Sequence, residues 1–253
     1  MQSINSNQLS EIERIKGEID RFRPFSPHIV NELRRYFRIG LTWSSNAIEG
    51  NTLTESETKA VLEDGLTIGG KQMREHLEAL GHGDAFDAMW SLMSETTLTV
   101  KNICELHRLF YVRIDAANVG VYRKVPVLIT GTDYIPPEPS KIADQMRSLD
   151  QWLATEALTL HPAQRGIEAH IRLVNIHPFV DGNGRTARLL LNLLLLQHGY
   201  PITIVPPILR AAYILGTAEA NKHNTEGFCK FMADRIVESG KDYLRLVSSL
   251  NKV

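Results

Sequence analysis

Apolar residues recur at helical intervals over most of this chain. Val30, Leu33, Phe37 and Leu41 lie three or four positions apart, the spacing of one helix face. That face predicts a helix from His28 toward Glu49, closed by Gly50, a residue suited to a left-handed C-cap. A mixed-charge helix over residues 10–22 precedes it, cut off by Arg23-Pro24-Phe25-Ser26-Pro27. Helical segments are expected over residues 54–100, broken at Gly65, Gly69-Gly70 and Gly81, and a core helix over residues 102–111. Ser140 is placed to cap a helix over residues 140–157. Residues 163–176 carry Ile167, Ile171 and Val174 on one face, and helices are expected over 208–220 and 228–237. The run Leu189-Leu190-Leu191-Asn192-Leu193-Leu194-Leu195-Leu196 is apolar on nearly every side, which puts its helix in the middle of a bundle.

One stretch departs from this period. Gly120-Val121-Tyr122-Arg123 leads into Val125-Pro126-Val127-Leu128-Ile129, a β-branched run, and Thr130-Gly131-Thr132-Asp133 turns the chain toward Tyr134-Ile135. A small β-hairpin over residues 120–137 is expected, with Pro126 on an edge strand whose open ladder could accept an extended peptide. Such a hairpin is marginal alone and needs helices to dock on. The expected fold class is therefore all-α, mainly helical, with one small β-hairpin, and the chain shows no internal repeat.

Composition narrows the classes without choosing among them. With 253 residues, 43% of them hydrophobic and 23% charged, the chain suits one large domain or one domain with an appended lobe. A net charge of −1 gives no global field toward nucleic acid or an anionic membrane, and no DNA-reading module is visible. Cys104 and Cys229 have no CxxC spacing and read as reduced thiols of a cytoplasmic protein. No run reaches the length of a membrane span, and the polar first nine residues lack a signal-peptide core. His76 and His82 are six apart, off the spacing of a helical metal pair, and they read as satisfied or solvent-facing; His107 and His170 read as packing residues. A zinc hydrolase has no ligand set here.

The candidate chemistry is concentrated in Ile176-His177-Pro178-Phe179-Val180-Asp181-Gly182-Asn183-Gly184-Arg185-Thr186-Ala187-Arg188. Gly182 and Gly184 permit tight turns and close approach of a ligand to main-chain N–H groups. A helix starting near Asn183 would aim its free N–H groups and positive dipole end at the loop, making an anion site. Arg185 and Arg188 share one side of that first turn, where cations are unfavourable unless a polyanion lies between them. Phosphates suit such guanidinium forks, Asp181 could hold Mg²⁺ alongside them, and His177 could take a proton from an attacking hydroxyl.

From His177 to Arg188 the chain matches the signature HPFxDGNGRxxR and resembles the Fic (filamentation induced by cAMP) family over roughly residues 41–233. The resemblance implies a helical protein that transfers AMP from its co-substrate ATP to a hydroxyl of a target protein. It implies His177 as the base, Asp181 as the Mg²⁺ ligand, and Asn183 with the Gly182 and Gly184 amides at the α-phosphate. Arg185 and Arg188 would hold the outer phosphates. Val127, Leu128 and Ile129 would lie in a flap that registers the target by strand addition. Asn221 resembles a position contacting adenine, and Tyr213 is expected to flank the same pocket.

Glu49 is ill-placed on physical grounds, because a carboxylate in the last turn of a helix opposes its dipole. A partner arginine would account for it. Ser45-Asn46-Ala47-Ile48-Glu49-Gly50 resembles the inhibitory motif [S/T]xxxE[G/N] of the same family, whose glutamate pairs with the second signature arginine, here Arg188. The resemblance thus implies N-terminal helices over residues 1–60 that carry an inhibitory segment, and a catalytic core over 61–253 with flap 120–137 and loop 177–188. Inhibition is expected within the chain, or between two chains of a homodimer if the helix swaps. Two alternatives stay open: removal of AMP by a water that Glu49 positions, and a nucleotide-binding regulator without turnover.

Overall fold

The computed structural model describes residues 4–95, 97–129 and 132–251. Among them are ten α-helices: α1 (Ser6–Asp20), α2 (Pro27–Ile48), α3 (Glu55–Glu63), α4 (Met73–Ser91), α5 (Val100–Tyr111), α6 (Pro139–Ala154), α7 (Pro162–Ile176), α8 (Asn183–Leu196), α9 (Arg210–Asn221) and α10 (Glu226–Leu250). The bounds follow local chemistry. Asn5 and Ser26 cap α1 and α2 through their side chains, and Thr54 with Glu57 forms a capping box on α3. The cap of α6 is Glu138 rather than Ser140, because Pro139 takes the first helical position, where its missing N–H costs nothing. The last helix runs to Leu250, well beyond residue 237. Its apolar face continues through Gly240, Tyr243 and Val247, so docking, and not local propensity, extends it.

α8 is the axle. Leu189, Leu190, Leu193, Leu194 and Leu195 are fully buried, with α7 packed along it and α2, α4 and α5 also against it. The apolar core runs without a break from Ile12 in α1 to Val247 in α10, so α1 and α2 belong to the same packed body as the rest. No helix of the described residues is long and apolar enough to cross a membrane. Cys104 and Cys229 are free thiols.

The expected hairpin is not present: no strand is formed by the described residues of 120–137, and the turn at 130–131 lies outside them. Pro126, Pro136 and Pro137 have no N–H to give to a ladder. Side chains anchor the segment instead. Tyr134 donates its hydroxyl to the Asn175 carbonyl (2.9 Å), and Arg123 reaches the carbonyls of Val125 and Pro137 (3.0 and 2.6 Å). Val127 and Ile129 are half-buried while Leu128 is exposed, so the alternation of a strand survives without a paired neighbour.

Gly81 marks the tightest helix crossing, between α4 and α5. A Cβ built there would lie 2.1 Å from the Phe110 carbonyl oxygen, a backbone atom that cannot swing aside. Gly81→Ala should therefore destabilise the protein by about 1–3 kcal/mol, despite alanine's better helix propensity, as read from the midpoint of denaturant unfolding. Unchanged or higher stability would show that the crossing is looser than described.

Candidate functional site

The site begins where α7 ends. His177 follows Ile176 in the left-handed conformation (φ 50°, ψ 56°), while its N–H still closes on the Leu173 carbonyl. For a residue with a Cβ this backbone is disfavoured, and it persists only where its surroundings enforce it. Here Arg123 Nε donates to the His177 carbonyl at 2.8 Å. His177 Nδ1 lies 3.3 Å from the Val174 carbonyl, which can only accept, so that nitrogen carries the proton and Nε2 keeps its lone pair. Burial is the main cause that lowers the ring to about 4, and Arg123 acts in the same direction against the Val174 carbonyl, Glu49 and Asp181. The imidazole is thus neutral near pH 7, the form required of a base.

The following turn is held from inside. Asn183 Oδ1 accepts from the Phe179 N–H and Asn183 Nδ2 donates to the Phe179 carbonyl, both at 2.9 Å, with the side chain buried. Asn183 therefore staples the loop through both ends of its amide. His107 braces the loop from α5: its Nδ1 accepts the Gly120 N–H and its Nε2 donates to the Asp181 carbonyl, each at 3.0 Å. Its ring also stacks on Phe179 with centroids 3.8 Å apart. Gly182 has φ +80°, and a Cβ there would come within 2.9 Å of the Phe110 ring. Thr186 is the first residue of α8 whose N–H finds a helical acceptor, Gly182 O at 3.0 Å. The N–H groups of Asn183, Gly184 and Arg185 precede it, at the positive end of the dipole.

Glu49 lies across that helix start. Its Oε1 is 2.7 Å from Arg188 and would be only 2.5 Å from a Cβ at position 184, so glycine is what allows the approach. Arg188 is buried, and each of its three nitrogens has an acceptor. Nε donates to Ser45 Oγ (2.8 Å), NH1 to the Tyr213 hydroxyl (3.0 Å), and NH2 to both the Ser45 carbonyl (2.8 Å) and Glu49. Gly50, with φ +101°, turns the chain out of α2 directly behind Glu49. Arg210, from the start of α9, caps the same helix end by donating to the Ile48 carbonyl at 2.6 Å. Burial alone would raise the Glu49 carboxyl, but Arg188 and Arg185 outweigh it and hold it below the usual carboxylate range.

The ring of Tyr213 is buried beside Arg188, and its hydroxyl is hydrogen-bonded to His170 Nε2 at 2.8 Å, so it supports the arginine. Asn221 is 6% exposed and its Oδ1 has no partner, an acceptor that is costly to leave unmet. Arg185 lies flat on Phe110 (4.4 Å) and faces Glu78 (3.1 Å) and Asp181 (3.3 Å). Asp181 also accepts from Arg74 at 3.0 Å, from the far side of the loop. Burial pushes the Asp181 carboxyl up, but Arg185, the Gly182 N–H and Arg74 together bring it below its ordinary value. No group of three or more His, Cys, Asp or Glu among the described residues could hold a metal. Asp181 is a single ionised carboxylate with 42% of its side chain exposed, the donor set of a Mg²⁺ that takes its other ligands from phosphates and water.

Glu78, Arg74, Arg123 and Arg210 carry no signal in the chain, because each meets the site only through tertiary packing. His107 is visible as a histidine on an apolar helix, but its bond to the Asp181 carbonyl is not.

A carboxylate whose folded value is depressed stabilises the fold above its unfolded value, about 4.3 for glutamate, and loses that contribution as pH falls through the folded one. The Glu49–Arg188 contact should therefore hold from pH 8 to about 5. Thermal melts of wild type and Glu49→Gln should differ by a constant amount over that range and converge only in stronger acid. Convergence already near neutral pH would contradict the depressed value.

Comparison with known proteins agrees with this geometry. The Fic/DOC family model matches residues 97–195. A protein from Drosophila melanogaster named protein adenylyltransferase Fic is 40% identical over 210 residues, which is 82% of this chain and 42% of that protein. This chain thus spans about two fifths of the length of such relatives. Among solved structures, a fragment of Fic-1 from C. elegans is 30% identical with a TM-score of 0.86, covering 96% of this chain and 74% of that one. A Fic domain containing signaling protein from Bacteroides thetaiotaomicron is 26% identical with a TM-score of 0.84, covering 94% and 97%. With its signature loop held at the mouth of α8 and these matches in sequence and fold, the chain belongs to the Fic/DOC family.

Proposed function

We propose that the chain is a protein adenylyltransferase restrained by its own Glu49. One observation carries this reading: a carboxylate already lies against Gly184 at the start of α8 and on Arg188, where a phosphate would be held. An anion is needed at that point on electrostatic grounds, and Glu49 and the triphosphate of ATP compete to supply it. The relatives named protein adenylyltransferase support AMP as the transferred group.

With Glu49 withdrawn, the amides of Gly182 to Arg185 and the guanidinium of Arg188 receive phosphate oxygens. Arg185 can contribute as its partners Glu78 and Asp181 yield. Asn221 offers its unmet acceptor to the adenine amino group. A Mg²⁺ bound by Asp181 would neutralise phosphate charge. His177 Nε2 takes the proton of a serine, threonine or tyrosine hydroxyl as its oxygen attacks the α-phosphorus, and the bond to the β-phosphate oxygen breaks to release pyrophosphate. The target segment lies along residues 121–137, where Leu128 is 89% and Ile135 76% exposed. The contact of Glu49 with Arg188 of the same chain supports a restraint within one chain.

The reverse reaction has one supporting observation. Arg188 engages only Oε1 of Glu49, and Oε2 has no hydrogen-bond partner among the described residues, so it could orient a water toward an AMP-modified hydroxyl. Labelling with α-³²P-ATP decides the main reading. Glu49→Gly should raise AMP incorporation at least tenfold, and His177→Ala added to it should remove ~10²–10⁴ of that rate. Labelling that neither substitution changes would falsify the proposal.

A further inference from the structure

We infer that Arg123 is a positioning residue that fastens residues 121–129 and 132–137, the two arms of one segment, to the backbone of His177, so that the base stays aimed only while that segment is seated. The inference rests on the adenylyltransfer reading for its meaning and on geometry for its content. Arg123 is 3% exposed and forms no ion pair among the described residues, although the charge of Glu138 acts on it. All its hydrogen bonds go to carbonyls. Its own N–H donates to Pro178 O (2.8 Å), and Nε donates to His177 O (2.8 Å). NH1 and NH2 donate to Val125 O and Pro137 O on the two arms of the segment (3.0 and 2.6 Å).

A buried cation without an ion-pair partner is expensive, and a merely structural clamp could be built from neutral donors. What the guanidinium adds is a planar fork that reaches three carbonyls from one side chain. Two of them belong to a segment with no ladder of its own, and the third belongs to a residue held in a left-handed backbone. The peptide of His177 is thereby fixed on both sides, by Nε at its carbonyl and by the Arg123 N–H at the next carbonyl. His107 makes a parallel bridge from the Gly120 N–H, at the root of the segment, to Asp181 O at the far end of the loop. Displacing the segment thus pulls on the loop at two points, and a target strand that seats it steadies the base.

The test compares Arg123→Gln and Arg123→Lys in a Glu49→Gly background. Self-labelling by α-³²P-ATP with Mg²⁺ reports kcat and the KM for ATP, and hydrogen exchange by mass spectrometry reports residues 121–129 and 177–184. Arg123→Gln should lower kcat about 10- to 100-fold, the scale of a small misplacement of a reacting group, with the KM for ATP within about twofold of the parent. Exchange should rise in both stretches together. Arg123→Lys, which keeps one strong donor, should fall between parent and Gln. Unchanged kcat, an equal loss in kcat and ATP binding, or faster exchange in the segment alone would overturn the coupling. If Arg123→Gln does not fold, Arg123→Lys is read by the same criteria. If the Glu49→Gly parent labels nothing, adenylyltransfer fails, and the exchange data alone judge the clamp.

Discussion

A guanidinium buried in the second turn of a leucine helix needs an acceptor at each nitrogen and an anion for its charge. Arg188 obtains both from outside its own helix. Ser45 accepts through its hydroxyl and its carbonyl, Tyr213 through its phenol, and Glu49 through its carboxylate. α8 cannot provide these, because it is the apolar axle of the bundle. α2 and α9 must therefore meet at its mouth, and the position of the site follows from where that one charge is satisfied. Three of the four bonds do not involve Glu49, so the arginine keeps its place if the carboxylate leaves.

The same requirement accounts for an arrangement that is unfavourable in each helix alone. The first two turns of α8 carry arginines at its positive end, and α2 carries a glutamate at its negative end. Brought together, each helix terminus relieves the other. Glu49 supplies an anion to the α8 amides, Arg188 supplies a cation to the end of α2, and Arg210 adds a second at the Ile48 carbonyl. Gly184 is the spatial condition for this meeting, since any side chain would fill the place of Glu49 Oε1. The neutral His177 waits beside it with Nε2 unprotonated. Under the proposed restraint, withdrawal of the glutamate is the change that admits a triphosphate.

Much of this was legible from residue order. The helical faces around Leu33, Phe37 and Leu41 and the all-round apolar run after Arg188 are local patterns, and they fold as read. Glu49 announced itself because its sign was wrong for its position. The hairpin failed because β-branched residues in 125–129 describe side-chain preference, whereas a ladder also needs N–H groups that three prolines withhold. Asn183 and Tyr213 were assigned to ligands because polar residues in a binding sequence suggest contact. In space each also has a supporting contact, one with the Phe179 backbone and the other with Arg188. The roles of Glu78, Arg123 and Arg210 depend on which segments pack together, information that no spacing in the chain contains.

The account's central claim is that Glu49 and the outer phosphates of ATP occupy the same electrostatic position. The most direct measurement is calorimetric binding of ATP and of AMP, each with Mg²⁺, to the wild-type chain and to Glu49→Gly. Competition at Arg188 predicts that the substitution tightens ATP about tenfold or more while AMP, which has no outer phosphates, changes little, since tenfold is only about 1.4 kcal/mol of displaced anion contact. Equal tightening of both nucleotides, or of neither, would contradict it.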